Sequence, residues 1–143
     1  MKTIARSALL PYPAEQLFLL VSDIESYPQF MDGCVGAEIL SDHDGVVEAR
    51  LDLARGGIAH SFATRNRAAA HHTIELELLE GPFEHFCGSW SFQQLGDVAC
   101  KVSLRLEFTL SNAVLSGAAA RLFDSVTTNL VDALSRRARH LYG

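Results

Sequence analysis

Residues 116–142 read SGAAARLFDSVTTNLVDALSRRARHLY, and the spacing within this stretch decides the fold. Apolar side chains recur at Ala119, Leu122, Phe123, Val126, Leu130, Leu134, Ala138 and Leu141, the three-and-four spacing of one helix face. Arg121, Asp124, Thr128, Asp132, Arg136 and Arg139 fall between them, as a solvent-facing stripe requires. Asp132 precedes Arg136 by four residues, the orientation that supports a helix. At ~1.5 Å per residue the segment spans roughly 40 Å, the width of a small domain. One apolar stripe of that length needs an apolar surface of matching length to cover it.

The chain before it supplies that surface. Thr3 to Leu10 alternates as a first strand. Pro11 and Pro13 end it, and Pro13 suits the first turn of a helix predicted over 14–24, with Leu17, Leu20, Val21 and Ile24 buried. Glu25 to Met31 reads as a second short helix or turn interrupted by Pro28, and Asp32-Gly33 marks a loop. From Val35 to Leu110 the pattern becomes period two, with turns at 42–45, Gly56-Gly57, His71-His72 and Gly81-Pro82. One apolar face collects Leu51, Leu53, Phe62, Leu76, Leu78, Trp90, Phe92, Leu104, Leu106 and Phe108.

Register follows from parity, because residues paired across a hairpin share a face. A two-residue loop at Gly96-Asp97 would set Phe92 against Lys101. The pattern therefore predicts a loop over 96–98, Phe92 opposite Val102, Trp90 opposite Leu104, and Gly96 or Asp97 in the left-handed conformation. Similar arithmetic places Leu51 near His60 and Leu78 near Phe62. Pairing Asn66 with Ile74 would bring His60 to face Glu80. The order of strand, two helices, six strands and a long helix predicts an α+β fold, a curved antiparallel sheet of about seven strands wrapped round the C-terminal helix. With no repeat or linker, residues 1–143 are expected to form a single domain.

Composition narrows the function classes. A hydrophobic share of 48% excludes disorder as the main state. A net charge of -5 argues against DNA and broad nucleic-acid binding, which need clustered cations. Cys34, Cys87 and Cys100 form no close pair, so free thiols are expected. Lys2 and Arg6 interrupt any export signal, and the longest aliphatic and aromatic run, Leu17 to Val21, is far short of the ~20 residues of a membrane span. These features predict a soluble cytoplasmic protein and leave peripheral contact with the inner membrane open. No metal-ligand spacing such as His-Glu-x-x-His or Cys-x-x-Cys occurs, nor a nucleophile elbow or phosphate loop. Neither a metal, a required cofactor nor a catalytic residue is expected. His60 and Glu80 are the candidate polar contacts of an otherwise apolar interior. Arg136, Arg137 and Arg139 are the one basic cluster, placed to complement a helix C-terminus or to dock anionic lipid or ribosomal RNA.

Five ordered blocks carry a family resemblance: 22–30 (SDIESYPQF), 34–37 (CVGA), 79–83 (LEGPF), 88–92 (GSWSF) and 130–133 (LVDA). Together they resemble the coenzyme-Q-binding and ribosome-association-toxin branch of the START-like superfamily, polyketide cyclase/dehydrase and lipid transport. The resemblance covers essentially the whole chain. It implies a helix-grip fold with a lipophilic ligand held between sheet and terminal helix. Eukaryotic relatives bind ubiquinone and support respiratory electron transfer, and one bacterial branch is named for binding the large ribosomal subunit. Relatives read Pro-Trp where this chain has Asp32-Gly33, a departure that bears on the pocket mouth.

The resulting expectation is a non-enzymatic carrier of ubiquinone or a similar isoprenoid lipid. Phe62, Leu76, Leu78, Trp90, Phe92, Leu104, Leu106 and Phe108 are expected to line the sheet side. Leu122, Phe123, Val126 and Leu130 are expected to close the helix side, with Tyr27, Phe30, Met31 and Val35 as a movable lip. A regulator binding the large ribosomal subunit through its arginines is the first alternative. An aromatic-polyketide cyclase using His60 and Glu80 is the second.

Overall fold

The computed structural model describes residues 1–69, 72–112 and 117–143. Strand β1 (Lys2–Leu10) is followed by helix α1 (Ala14–Ser22) and a short 3-10 helix (Ile24–Gln29). Then come β2 (Cys34–His43), β3 (Val46–Arg55), β4 (Ile58–Ala69), β5 (Thr73–Glu80), β6 (Phe83–Leu95), β7 (Ala99–Leu110) and helix α2 (Ala118–Tyr142). The strands form one antiparallel sheet in the order β1-β7-β6-β5-β4-β3-β2. Its two edges are thus the first and second strands of the chain. His71 of the expected turn and Ser116 at the head of the terminal stretch lie outside the described residues.

The β6–β7 hairpin has the expected register. Phe92 pairs with Val102, Trp90 with Leu104, and Leu95 with Ala99, leaving 96–98 as the loop. Gly96 takes the left-handed conformation at φ 65°, which a residue without Cβ adopts at little cost. The β3–β4 and β4–β5 pairings correct the expected arithmetic. Leu51 pairs with Phe62 and Leu53 with His60. Leu78 pairs with Thr64 rather than lying by Phe62, and Asn66 pairs with Leu76. A bulge at Leu79 then sets Glu80 opposite Ala63, so β5 ends before it reaches His60. An extra residue on one strand reverses the facing of the residues beyond it, and Glu80 is exposed.

A second bulge, at Glu84, has the largest consequence. Phe83 pairs with Leu110, but His85 pairs with Thr109 and Phe86 with Phe108. The shift turns both Phe83 and Phe86 toward the interior although they stand three residues apart, and the regular alternation through Trp90 and Phe92 resumes after it. Gly88 is required by close packing. A Cβ there would stand 2.4 Å from a Leu106 methyl and 2.9 Å from the Arg105 carbonyl oxygen.

Both helices cover the same face of the sheet. α2 buries Leu122, Phe123, Val126, Val131, Leu134 and Ala138. α1 lies over β6 and β7, and its Phe18 ring meets Phe92 edge-on at 5.7 Å. Where α1 and α2 both press on the sheet the core is solid; the rest of the apolar face is left to α2 and the 3-10 helix. Among the described residues, no helix is long and apolar enough to cross a membrane.

Candidate functional site

Between α2, the 3-10 helix and strands β3 to β7 lies a cavity of about 120 Å³. Its wall is overwhelmingly apolar because the inward parity of each strand is apolar. Leu51 and Leu53 come from β3, Leu76 from β5, and Trp90 and Leu106 from β6 and β7. Phe62, Phe83, Phe86, Phe108 and Phe123 form an aromatic cluster on one side of it. Phe83 stands 5.1 Å from both Phe86 and Phe123 between ring centroids, and 5.7 Å from Phe62. Tilted and edge-on pairs at such distances are the favoured aromatic geometry. Val126 and Leu130 of α2 close the opposite wall, and Tyr27 and Met31 form its rim beside the 3-10 helix. Gly45 and Ala68, which also border the cavity, are exposed, so it reaches solvent near the β2–β3 turn.

Several residues expected at the wall stand elsewhere. Phe92, Leu104 and Leu122 are not at the cavity; they are 1%, 1% and 3% exposed and belong to the solid core. The reason for Phe92 is α1, which fills the space in front of it. Leu78 is half-buried off the cavity, beside the β5 bulge. Phe30 sits behind the rim, touching Tyr27 edge-on at 5.7 Å, and Val35 is 63% exposed. His60 does not border the cavity either. Phe123 seals it off, with the two rings 5.8 Å apart, and Glu80 is on the other strand face. The expected His60–Glu80 pair is therefore not formed, which removes the acid–base pair the cyclase alternative needed.

The polar groups at the cavity are different ones. Thr64 and Asn66 follow Phe62 at alternate positions of β4 and so share its inward face. The Thr64 hydroxyl donates to Asn66 Oδ1 at 2.8 Å. The bond leaves the Asn66 NH2 group available to a guest. Extending the inward alternation by two steps beyond Phe62 would have found both residues. Phe83 had no such signal, since the Glu84 bulge is invisible in the pattern. Thr127 is spent within α2, donating to the Phe123 carbonyl at 2.8 Å. The Tyr27 phenol donates to the Val21 carbonyl. Burial pushes the Tyr27 phenol well above its ordinary value, with smaller contributions from Cys34 and Asp23.

The rim is tied down. Arg55 bridges Asp32 Oδ2 and Ser125 Oγ, at 2.9 Å each, joining the 32–33 loop to α2. Gly33 has φ 91°, and a Cβ there would approach Val126 to 2.8 Å, so only glycine lets this loop lie on the helix. Asp32-Gly33 thus supplies a polar clamp between this loop and α2. Arg137, expected among the docking arginines, is engaged instead. It donates to Gln29 Oε1 at 2.9 Å and lies over the Phe30 ring at 5.3 Å. Arg136 and Arg139 are exposed.

The model of the family described as polyketide cyclase / dehydrase and lipid transport matches residues 10–135. The chain belongs to that family. It is 39% identical over 142 residues to the ribosome association toxin RatA of Escherichia coli, covering 99% of this chain and 90% of that one. A more distant relative is the mitochondrial coenzyme Q-binding protein COQ10 homolog B of Xenopus laevis, 23% identical over 97% of this chain and 59% of that protein. Among solved structures, the Zhui aromatase/cyclase from Streptomyces superposes with a TM-score of 0.81 at 18% identity, over 96% of this chain and 93% of that one. At that identity the likeness establishes the fold alone. The START-like architecture is thereby shared with the family.

Proposed function

We propose that the chain binds a hydrophobic small molecule whose leading group is one oxygen-bearing ring, as an isoprenoid quinone presents, and holds it without chemical turnover. The observation that carries this reading is the aromatic-walled cavity with the Thr64–Asn66 pair on its inner face. Size supports a single ring. At about 120 Å³ it is close to the ~150 Å³ of an apolar cavity that takes up benzene and well below the ~300 Å³ that larger ligands require. Burying a ring of ~150 Å² at ~25 cal/mol/Å² contributes roughly 4 kcal/mol before ordering costs. The name of the distant coenzyme Q-binding relative supports the quinone.

Trp90, the one tryptophan of the chain, borders the cavity and serves as reporter. A short-chain ubiquinone analogue is expected to quench its fluorescence saturably, and Phe83→Ala or Phe123→Ala is expected to weaken the effect. Native mass spectrometry of protein from its own host should show a co-purifying quinone or isoprenoid. No quenching together with no co-purifying lipid would sink the reading.

A second reading rests on the relatives named as ribosome association toxins, matched over nearly their whole length. In it, α2 docks on the large ribosomal subunit through exposed Arg136 and Arg139. Co-sedimentation with isolated large subunits is expected, and the double variant Arg136→Glu, Arg139→Glu is expected to abolish it. Co-sedimentation unaffected by that double charge reversal would exclude this surface.

A further inference from the structure

The sheet face turned away from α2 carries a side-chain cluster unrelated to the cavity. His85 and Cys87 are two residues apart on β6, so both project from the same face, and the parity is opposite to that of Phe86 and Gly88. The β6–β7 register sets Glu107 directly across from Cys87. One ligand atom from each of His85, Cys87 and Glu107 lies within 4.8 Å of the others. Cys87 Sγ and His85 Nε2 are 3.7 Å apart. A nitrogen at ~2.0 Å and a sulfur at ~2.3 Å from one tetrahedral ion stand roughly 3.6 Å from each other. The pair is thus already spaced as ligands of a common zinc.

We propose that His85, Cys87 and Glu107 bind a thiophilic divalent cation, zinc by its chemistry, on the outer face of the sheet. The three donors are a nitrogen, a sulfur and an oxygen, the set that zinc accepts and that magnesium and calcium do not. Water completes four-coordination. Arg105 donates to Glu107 Oε1 at 2.8 Å, which fixes the carboxylate and leaves its other oxygen for the ion, the supporting role that outer-shell partners play. Cys34 and Cys100 are 4% and 0% exposed, so Cys87 is the thiol within reach of a metal. Motif spacing along the chain gave no sign of the site because its third ligand comes from the neighbouring strand. The site lies beyond the bulge at Glu84, where β6 pairs regularly with β7 and ordinary alternation keeps His85 and Cys87 on the outer face.

Titration of the reduced full chain with cobalt(II), followed by absorption, tests the site. One equivalent is expected to produce a thiolate-to-cobalt charge-transfer band and tetrahedral d–d bands, both erased by equimolar zinc. Cys87→Ser is expected to lose the charge-transfer band, and His85→Ala or Glu107→Gln to weaken binding by about 10-fold or more, at least the loss caused by removal of an outer-shell partner. Zinc should also raise the unfolding temperature of the unaltered chain and not that of Cys87→Ser. Absence of the band, or equal affinity in His85→Ala and Glu107→Gln, overturns the proposal. Those two exposed-face variants decide it even if Cys87→Ser misfolds.

Discussion

Asn66 illustrates how much one polar side chain decides in an apolar site. Its oxygen accepts from Thr64, and its NH2 group offers a guest two donors, which suit a quinone carbonyl. Asn66→Leu is expected to weaken a quinone analogue about 3–10-fold, the worth of one ordinary hydrogen bond, and to leave a hydrocarbon ring of the same size unaffected; Trp90 quenching by the two ligands measures the split. At Gly88 the constraint is steric. With the Arg105 carbonyl oxygen 2.9 Å from a Cβ, backbone must move to admit one. Gly88→Ala is expected to cost about 1–3 kcal/mol, the usual range for overpacking, as read from denaturant unfolding.

Among elements, the 3-10 helix and the loop after it close one wall of the cavity, and a larger guest would displace them. Two polar clamps join them to α2, Arg137 to Gln29 and Phe30, and Arg55 between Asp32 and Ser125. Both are partly exposed, so each holds the rim by only ~0.5–1 kcal/mol. Arg137→Ala is expected to lower global stability by no more than that and to speed ligand exchange several-fold, as measured by stopped-flow fluorescence. Unchanged exchange rates would mean that the guest enters elsewhere, past Gly45 and Ala68.

The folded molecule as a whole should lose stability as the pH rises into the alkaline range. Burial raises Tyr27 above its ordinary 10.0 and Cys34 and Cys100 above their ordinary 9.0. A group whose folded pKa is raised holds its proton in the native state when the unfolded chain has lost it, so stability falls as pH rises past the unfolded value. Their contribution is full below about pH 9, declines from there for the thiols, and declines from about pH 10 for the phenol. Unfolding temperatures measured from pH 7 to 11 should show this, and Tyr27→Phe should flatten the segment above pH 10 while lowering stability at pH 7 through the lost bond to Val21.

The sequence by itself determined the layers. Period-two runs from Val47 to Leu110 and the three-and-four run of α2 dictate a one-sided sheet and a helix to cover it, because each pattern has only one way to bury its apolar positions. It determined the β6–β7 register too, since a slip would have put Phe92 against Lys101. Tertiary structure decided where the core is solid and where it is hollow. α1 closes over Phe92, a placement no local periodicity encodes, and bulges at Leu79 and Glu84 reverse which side chains face inward. One extra residue in a strand changes no propensity and leaves no mark on composition, yet it set Glu80 opposite Ala63 on the outer face and brought Phe83 to the cavity. A pattern along one strand reports a face; only the partner strand reports what that face meets.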